Sequence, residues 1–357
     1  ARASWMSTLA ALAGGLVAST LDLSQDDFAA GRFRFAGSGG SVLALGRIAA
    51  EGYVALFGGS VDQQGTVETA PGGSVVLAAG RAATVELSDT GLVSAVVTRH
   101  ADGRVLNGGS VTAEGGRITL EGALVNTSGL LNASSIVERG GEIHILGRQV
   151  ATAGRIEADG TAGGRIVVRG DMDNGRAQID GRFSAQATGG GDGGRIETSA
   201  AFVAIEPAAR VATLAASGRH GEWLIDPTDF VVGAGSGAQT SSGIGATTLA
   251  TNLQSGNVTL QTAPTGSEPG DIRVEAPVSW SASTVLTLSA ANDVVVRADL
   301  SGTGNAAGLT VSAGSGRFSI ENGARVHLPG SSPSLSINGQ SYVVINSLSA
   351  LQAIGDN

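Results

Sequence analysis

The feature that most constrains this chain is a short repeat punctuated by glycine. The pattern Gly-x-apolar-x-Ala starts at Gly91, Gly109, Gly129, Gly154 and Gly181, and successive copies are 18, 20, 25 and 27 residues apart. A second pattern, Gly-Gly-x-Ile, follows the last four copies and starts at Gly115, Gly140, Gly163 and Gly193. Each unit therefore offers two short strands separated by a turn of variable length.

Apolar residues alternate within these strands, which is the period of a β-strand with one buried face. A strand of four or five residues cannot bury that face alone, so successive units must stack as coils of a solenoid. The pattern predicts two columns on one strand, Ile118, Ile143, Ile166 and Ile196, and Leu120, Ile145, Val168 and Thr198. On the other strand it predicts the columns Val93, Val111, Leu131, Ile156 and Phe183, and Ala95, Ala113, Ala133, Ala158 and Ala185.

Composition agrees with an all-β solenoid. The 357 residues include 56 Gly but only 8 Pro, and 42% are hydrophobic while 4% are aromatic. That hydrophobic fraction is too high for a disordered chain, and the core must be aliphatic. We predict a parallel β-helix forming a single elongated rod. A mean interval of about 22 residues implies roughly 16 coils and a length of roughly 75 Å.

The chain divides into three expected stretches. Residues 1–13 form an irregular start that continues from or caps the rod, residues 14–224 form regular repeats, and residues 225–357 form a less regular continuation. Short helical turns are predicted near 246–254, where Leu249 and Leu253 would lie over a corner, and near 347–354. Six later strands are predicted, and they begin at Asn257, Asp271, Thr284, Asp293, Leu309 and Tyr342.

The stretch from Trp5 to Leu21 imitates a signal peptide, with an A-x-A site at Ala11 to Ala13. The alternative is the buried first segment of a chain cut from a longer one, and we favour it because the sequence begins mid-pattern. No segment has the length and hydrophobicity of a membrane span.

Charge excludes some classes of partner and site. The net charge is −9, and all 22 basic residues are Arg. A surface for nucleic acid is disfavoured, because such affinity comes largely from neutralised phosphates. The absence of Cys removes disulfides, thiolate metal sites and Cys nucleophiles together.

Three segments resemble a bacterial family. Gly14 to Phe35, Glu51 to Gly80 and Gly221 to Phe230 (GEWLIDPTDF) resemble the filamentous-haemagglutinin-like exoproteins of two-partner secretion systems. Ile337 to Asn357 resembles the lead-in to further repeats in such proteins. The resemblance covers most of the chain from Gly14 onward, but an Asn-Pro-Asn-Gly-like secretion motif and a C-terminal module are not found in the sequence. The chain therefore looks like an internal fragment.

The resemblance implies a right-handed parallel β-helix that crosses the outer membrane through a dedicated partner transporter and is secreted or held at the cell surface. The expected function is the structural, non-catalytic shaft of an adhesin that attaches to cells or biofilm matrix, with a glycan or protein of the host surface or matrix as partner. No nucleic acid, cofactor, metal or catalytic residue is expected. The alternatives are a haem- or host-protein-capture exoprotein and a polysaccharide-active β-helix enzyme.

Residues that could carry chemistry have a structural interpretation beside the functional one. The densest acids are Asp26 and Asp27, and the set Asp171, Asp173 and Asp180; we interpret them as turn acids. Asp171 to Gly175 and the GGGDGG run from Gly189 resemble calcium loops only loosely. Asp226 to Asp229 and Trp223 are interpreted as structural. The four His, at 100, 144, 220 and 327, are far apart, and His144 is expected to point outward.

Three sequons, at Asn126, Asn132 and Asn257, fit either glycosylation or β-helix turns, and we favour turns. A small basic turn around Arg99, His100 and Arg104 fits either an acidic sugar or a solvated hairpin tip. Finally, Arg117, Glu142, Arg165 and Arg195 precede the Ile column. We predict that they point outward, with Glu142 close to Arg117 or Arg165.

Overall fold

A computed structural model describes residues 3–5, 10–12, 14–30, 32–88, 91–98, 102–235, 242–264 and 268–352. Over these residues the chain is a parallel β-helix, as the repeat predicts. Three series of short strands stack coil upon coil, and each strand pairs in parallel with the equivalent strand of the next coil. We call the three series the first, second and third face.

The first face carries the Gly-Gly-x-Ile strands. Its strands are Gly15–Ser19, Tyr53–Gly58, Ser74–Ala79, the first halves of Arg117–Thr127 and Glu142–Thr152, Arg165–Arg169, Arg195–Ser199, Glu222–Asp226, Asn257–Gln261, Val285–Ala290, Gly308–Ala313 and Ser334–Ile337. The two long strands bend from the first face into the second, which joins both faces into one sheet.

The second face follows the first around each coil. Its strands are Ala3–Trp5, Ser41–Ala44, Ser60–Gln63, Arg104–Asn107, the second halves of the two long strands, Arg176–Ile179, Phe202–Ile205, Gly243–Gly245, Phe230–Gly233, Ile272–Val274, Val294–Val296 and Phe318–Ile320. The short strand Gly243–Gly245 is wedged between neighbouring coils, because it pairs with Ala204 on one side and Val231 on the other.

The third face carries the Gly-x-apolar-x-Ala strands. Its strands are Ala10–Leu12, Arg47–Ala50, Thr66–Thr69, Ser110–Ala113, Leu130–Asn132, Arg155–Glu157, Arg182–Ser184 and Arg210–Ala212, and, farther along, Val278–Trp280, Leu300–Gly302 and Val326–His327. The helix Ala246–Leu253 lies between these two groups and takes the place of a strand.

The predicted Ile column is confirmed and extends over twelve rungs. Register pairs connect Leu16, Val54, Val75, Ile118, Ile143, Ile166, Ile196, Trp223, Val258, Leu286, Leu309 and Leu335. Ile118, Ile143, Ile166 and Ile196 are fully buried. The Leu120 column is confirmed in the same way, from Leu120 through Ile145 and Val168 to Thr198.

Twelve rungs in the described chain are fewer than the roughly 16 coils predicted. Each coil after Ile118 spends 23 to 35 residues between equivalent positions, as from Ile143 to Ile166 and from Trp223 to Val258. Insertions therefore consume the difference, and the stacked part of the rod is about 50 Å long at the spacing of paired strands.

Two predicted columns contain an error in the same strand, one at Val93 and the other at Ala95. Val111, Leu131, Ile156 and Phe183 stack as predicted. The copy of the pattern at Gly91 instead lies in the strand Gly91–Thr98, which pairs in an antiparallel manner with Ala82–Ser88. Val93 falls at the irregularity in that pairing, and Val67 takes its expected place beside Val111. The period of two is common to both kinds of strand, so the pattern could not separate them.

The strand Gly91–Thr98 belongs to a four-stranded antiparallel sheet that we call the cover sheet. Its other strands are Ala82–Ser88, Phe33–Ala36 and Asp22–Leu23, and the short helix Gln25–Ala29 precedes Phe33. The cover sheet packs on the outer side of the first face. Phe35 is buried against Phe57, with ring centroids 5.9 Å apart, and Val76 and Ala83 belong to the same apolar cluster.

The helix Ala246–Leu253 confirms the helical turn predicted near 246–254, but it lies within the third face. Leu249 and Leu253 are fully buried in the rod's core. Asn252 replaces a strand's backbone: its Oδ1 accepts from Val211 N at 2.7 Å, and its Nδ2 donates to Ala209 O at 3.2 Å. A side chain thus satisfies the sheet edge that the helix covers.

The last part of the chain differs from its prediction at one strand. The helix Leu348–Gln352 lies within the predicted turn near 347–354. Of the predicted strand at Tyr342 to Ile345, however, only Tyr342 is in a strand, Gln340–Tyr342. That strand returns antiparallel to Ser334–Ile337 through Asn338 and Gly339, whose φ values of 49° and 79° suit a tight hairpin turn.

Glycine stacking explains the spacing of the repeat. A Cβ on Gly141 would lie 2.0 Å from Gly116 O, and one on Gly154 would lie 2.0 Å from Gly129 O. Both glycines therefore allow the backbones of adjacent coils to approach at a corner.

Candidate functional site

Most of the described chain packs the rod, so a functional site has to be built from outward-facing side chains. The predicted charge ladder on the first face is confirmed at Glu142, whose Oε2 lies 2.8 Å from Arg117 Nη2. Arg165 is in register with Glu142 but turns to Glu197, at 3.6 Å, and Arg195 pairs with Glu222 at 2.9 Å. Glu222, which pairs with Arg195, was not predicted from the sequence.

A half-buried charge cluster lies at the far edge of the same face. Arg169 Nη2 donates to Glu197 Oε1 at 2.6 Å, and Ser199 Oγ donates to the same oxygen at 3.2 Å. Burial raises the pKa of Glu197, but the hydrogen bond and charge of Arg169 outweigh it and leave that pKa below its ordinary value.

Asp226 lies one rung beyond Ser199 and behaves differently. Its Oδ1 is buried without a hydrogen-bond partner among the described residues. Burial, followed by the charge of Glu197, raises the pKa of Asp226. The arrangement holds two carboxylates with opposite pKa shifts side by side, and the hydroxyl between them, that of Ser199, is engaged as a donor to Glu197.

The WLIDP segment otherwise joins coils, as predicted. Asp229 Oδ1 accepts from the backbone of Gly270 and Asp271, both at 2.8 Å. Trp223 is buried in the Ile column, where its Nε1 donates to Thr198 Oγ1 at 3.2 Å.

The candidate acids are separated into turns. Asp171 Oδ1 accepts from Asp173 N and Asn174 N at 3.0 and 2.9 Å, and Asp180 Oδ1 accepts from Gly181 N at 2.7 Å. Asp27 pairs with Arg32 at 2.7 Å beside the helix Gln25–Ala29. These contacts support turns rather than a convergent pair of carboxylates.

The GGGDGG run is also a joint between coils. Asp192 Oδ1 accepts from Arg219 N at 2.9 Å, and its Oδ2 accepts from Arg219 Nε and Nη2 at 3.0 and 2.6 Å. The bonds from Arg219 lower the pKa of Asp192. Within the described ranges, no group of three His, Asp or Glu side chains is placed to hold a metal ion.

The histidines do not converge. His144 lies on the outer side of the first face with its Nε2 3.5 Å from Glu142 Oε2, and burial lowers its pKa. His220 Nδ1 accepts from Ala215 N at 3.3 Å. His327 is exposed on the third face, and His100 lies outside the described residues, as does Arg99. Of the predicted basic turn, the structure therefore describes only the part that follows Ala101.

The three sequons differ in what their side chains do. Asn126 is exposed on the second face. Asn132 Oδ1 accepts from Ser134 N at 2.9 Å, which is a turn contact. Asn257 is engaged at both ends, since its Nδ2 donates to His220 O at 3.1 Å and its Oδ1 accepts from Val285 N at 2.9 Å.

The outer surface also carries a feature that the sequence analysis missed. Arg155, Arg182 and Arg210 stand in consecutive rungs at the start of the third-face strands. They line an open groove of about 440 Å³, which we call the arginine groove. Its floor is the glycine stack Gly129, Gly154 and Gly181. The signal was in the repeat itself, because Arg occupies the variable second position of the copies at Gly154 and Gly181.

The arginine groove differs in its acidic residues from three other grooves of the described chain. Glu121 and Asp171 line one of these three, Glu138 and Glu142 a second, and Asp192 and Glu222 a third. The residues lining the arginine groove include no carboxylate. An anion would thus meet less repulsion there than elsewhere along the rod.

Among the described residues, no helix has the length and hydropathy that a membrane span needs.

Comparison with known proteins adds one structural likeness. No protein-family model matches the sequence, and no curated protein sequence matches it. A solved structure similar to the chain is the secretion domain of HMW1 from Haemophilus influenzae, with 20% identity over 92% of this chain and 76% of that one, and a TM-score of 0.42. At this similarity the function has to be argued from the chain's own residues.

Proposed function

We propose that the chain is the β-helical shaft of a large bacterial adhesin, secreted by a two-partner system and acting at the cell surface by presenting side area. The observation that carries the proposal is the placement of the resembling segments. Glu51 to Gly80, Gly221 to Phe230 and the start of the segment from Gly14 to Phe35 are built into a parallel β-helix, which is the fold their resemblance implies. The rest of the segment from Gly14 to Phe35 lies in the cover sheet and the helix Gln25–Ala29.

The different roles of inward-facing and outward-facing residues support the same proposal. Inward positions form columns that hold the coils together, whereas outward positions are joints, ion pairs and shallow grooves. A rod of this kind gains length and side area with every coil while neighbouring coils secure its stability. In this proposal residues 14–224 are the regular shaft, residues 225–357 continue it less regularly, and residues 1–13 belong to its start.

The two long insertions bear on the capture of haem or a host protein, the first alternative. A long loop that projects from the shaft would favour such a function. Residues 20–40 and 80–103 are long enough, but their described strands fold back as the cover sheet, with Phe35 and Ala83 buried against the first face. They therefore support a covered shaft.

In the proposal, the partners are an outer-membrane transporter during secretion and a host-surface or matrix glycan or protein afterwards. The shaft acts without catalysis, nucleic acid or cofactor, and weak contacts repeated along it add through multivalency.

The test combines binding with turnover. The full chain, free or immobilised at high density on beads, is applied to a glycan array and to biofilm matrix, beside reducing-sugar and unsaturated-product assays. We expect density-dependent binding and no turnover. Steady turnover of an acidic polysaccharide, abolished by Asp171→Asn or Asp173→Asn, would instead establish the enzyme alternative.

A further inference from the structure

We propose that the arginine groove binds a carboxylate-bearing polysaccharide, a polyuronate, along the axis of the rod. The inference deepens the proposed function and rests on it, because it names the ligand class and the place where a shaft of this kind would meet it.

Like charges are stacked in consecutive rungs of the arginine groove. Elsewhere on the rod, arginines in consecutive rungs meet carboxylates, as in Arg117 with Glu142 and Arg195 with Glu222. Arg297 even stands between two acids, with Glu275 Oε1 at 2.8 Å and Glu321 Oε2 at 2.9 Å. Like charges in directly opposed positions of a sheet are destabilising. Arg165 and Arg195 are also opposed, but each has a carboxylate partner of its own. The three stacked arginines of the arginine groove have one carboxylate partner among the described residues, Glu157.

Two of the three arginines have no carboxylate partner among the described residues. Arg155 pairs with Glu157. Arg210 Nη1 donates to Pro207 O and Ala209 O, both at 2.9 Å, and has no carboxylate partner among the described residues. The Arg182 side chain is exposed and has no hydrogen-bond or ion-pair partner within the described part of the chain. Two guanidinium groups are thus left with donors for an anion, on a chain whose net charge is −9.

At the floor of the arginine groove, the backbone N–H groups of the three arginines are already hydrogen-bonded. The backbone N–H groups of Arg155, Arg182 and Arg210 already donate to the stacked glycine carbonyls, at 3.0, 2.9 and 2.9 Å. The free donors of the groove are therefore guanidinium groups, whose planar fork suits a carboxylate held by two parallel bonds. The groove's volume of about 440 Å³ lies within the range of ligand clefts.

The lining of the arginine groove favours a polysaccharide over other polyanions. Leu130, Ala153 and Ala208 line the groove, and these aliphatic side chains can pack against the C–H faces of sugar rings. Its lining holds no aromatic side chain on which a base could stack. Because the arginines recur once per coil, a polymer with regularly repeated carboxylates can engage two of them at once.

The experiment measures binding of the full chain to polygalacturonate by biolayer interferometry, with neutral dextran and duplex DNA as comparison ligands. The variants are Arg182→Gln, Arg182→Lys and the double variant Arg182→Gln with Arg210→Gln. Arg325→Gln is the matched control, since Arg325 is exposed, its side chain has no partner among the described residues, and it lies outside the groove. Circular dichroism checks that each variant is folded.

We expect polygalacturonate to bind and dextran and DNA not to bind. Arg182→Gln should weaken binding about tenfold or more, the double variant should abolish it, Arg182→Lys should fall between, and Arg325→Gln should stay within about twofold of the original chain. Equal losses in Arg182→Gln and Arg325→Gln, no loss in Arg182→Gln, or comparable binding to DNA would each overturn the polyuronate site. Attachment to matrix without polygalacturonate binding would reject the site and leave the shaft proposal standing, whereas turnover of polygalacturonate would reject the shaft proposal.

Discussion

At the corners of the coils, single glycines decide how closely two neighbouring turns of the chain approach. Gly154 illustrates this, because the place of its missing Cβ is occupied by the carbonyl of Gly129 in the preceding coil. Backbone cannot move aside as a flexible side chain can. The glycines of the repeat are therefore packing residues as well as turn residues.

Gly154→Ala should destabilise the chain by about 1–3 kcal/mol, because a methyl group would have to displace that carbonyl. Gly190→Ala is the control, since nothing lies within 4 Å of its added Cβ. Urea denaturation followed by circular dichroism measures both free energies of unfolding. Equal midpoints for the two variants would contradict the close approach of the coils.

Ile143 and Glu142 are adjacent in sequence but face opposite sides of the coil wall. Ile143 is fully buried, whereas the Glu142 side chain is 41% exposed. Ile143→Asp should cost at least about 3 kcal/mol more than Glu142→Ala, because it buries a carboxylate without a partner. Thermal melts of both variants test this, and similar melting temperatures would show that the column does not point inward.

These residues also show how far sequence could predict the molecule. The Ile118 to Ile196 column was predictable because each strand alternates locally and the Gly-Gly corner fixes its phase. Val93 was misplaced because an antiparallel hairpin has the same local period. The sheet to which this hairpin belongs packs on the apolar surface around Phe57, which is far away in sequence. The arginine groove was overlooked because Arg182 occupies a variable position, and only stacking brings it beside Arg155 and Arg210.

At the scale of the elements, the first-face strands Arg195–Ser199 and Glu222–Asp226 place two carboxyl groups with opposite pKa shifts beside each other. The pKa of Asp226 is raised and that of Glu197 is lowered. Above the ordinary Asp pKa of 3.8, the folded chain holds a proton on Asp226 more firmly than the unfolded chain does. Stability contributed at Asp226 therefore falls as the pH rises from 3.8 through the raised folded pKa. Glu197 acts in the opposite direction, because its folded pKa is lowered.

Asp226→Asn removes the first of these two effects and keeps the second. The stability of the variant minus that of the original chain should therefore be larger at pH 7 than at pH 4. Urea midpoints of both proteins at both pH values measure this difference. Asp173→Asn removes the same charge from an exposed turn and is the control for the change in net charge. A stability difference for Asp226→Asn that does not change with pH would contradict the assignment.

At the scale of the whole molecule, each coil contacts mainly its neighbours, so a complete coil should be removable. Deleting residues 142–164 joins Gly141 to Arg165 and brings Ile166 into register with Ile118. We expect this chain to fold and unfold cooperatively with a shorter rod, by circular dichroism and small-angle scattering. Deleting residues 142–153 removes half a coil, mixes two faces and should prevent folding; an equally well-folded product would refute the coil as the unit.

The hydrogen bonds between coils run along the axis of the rod, as from Glu142 N to Gly116 O at 2.8 Å and from Arg165 N to Gly141 O at 3.0 Å. Tension applied between the two ends therefore pulls these bonds apart head-on, a rung at a time, and does not shear a whole sheet at once. Each rung that yields would free the 23 residues from Ile143 to Ile166, or the 35 from Trp223 to Val258. That is about 80–120 Å of extended chain. Stretched in an optical trap, the rod should lengthen in steps of that size, and so lower the load on any contact it holds against a moving surface.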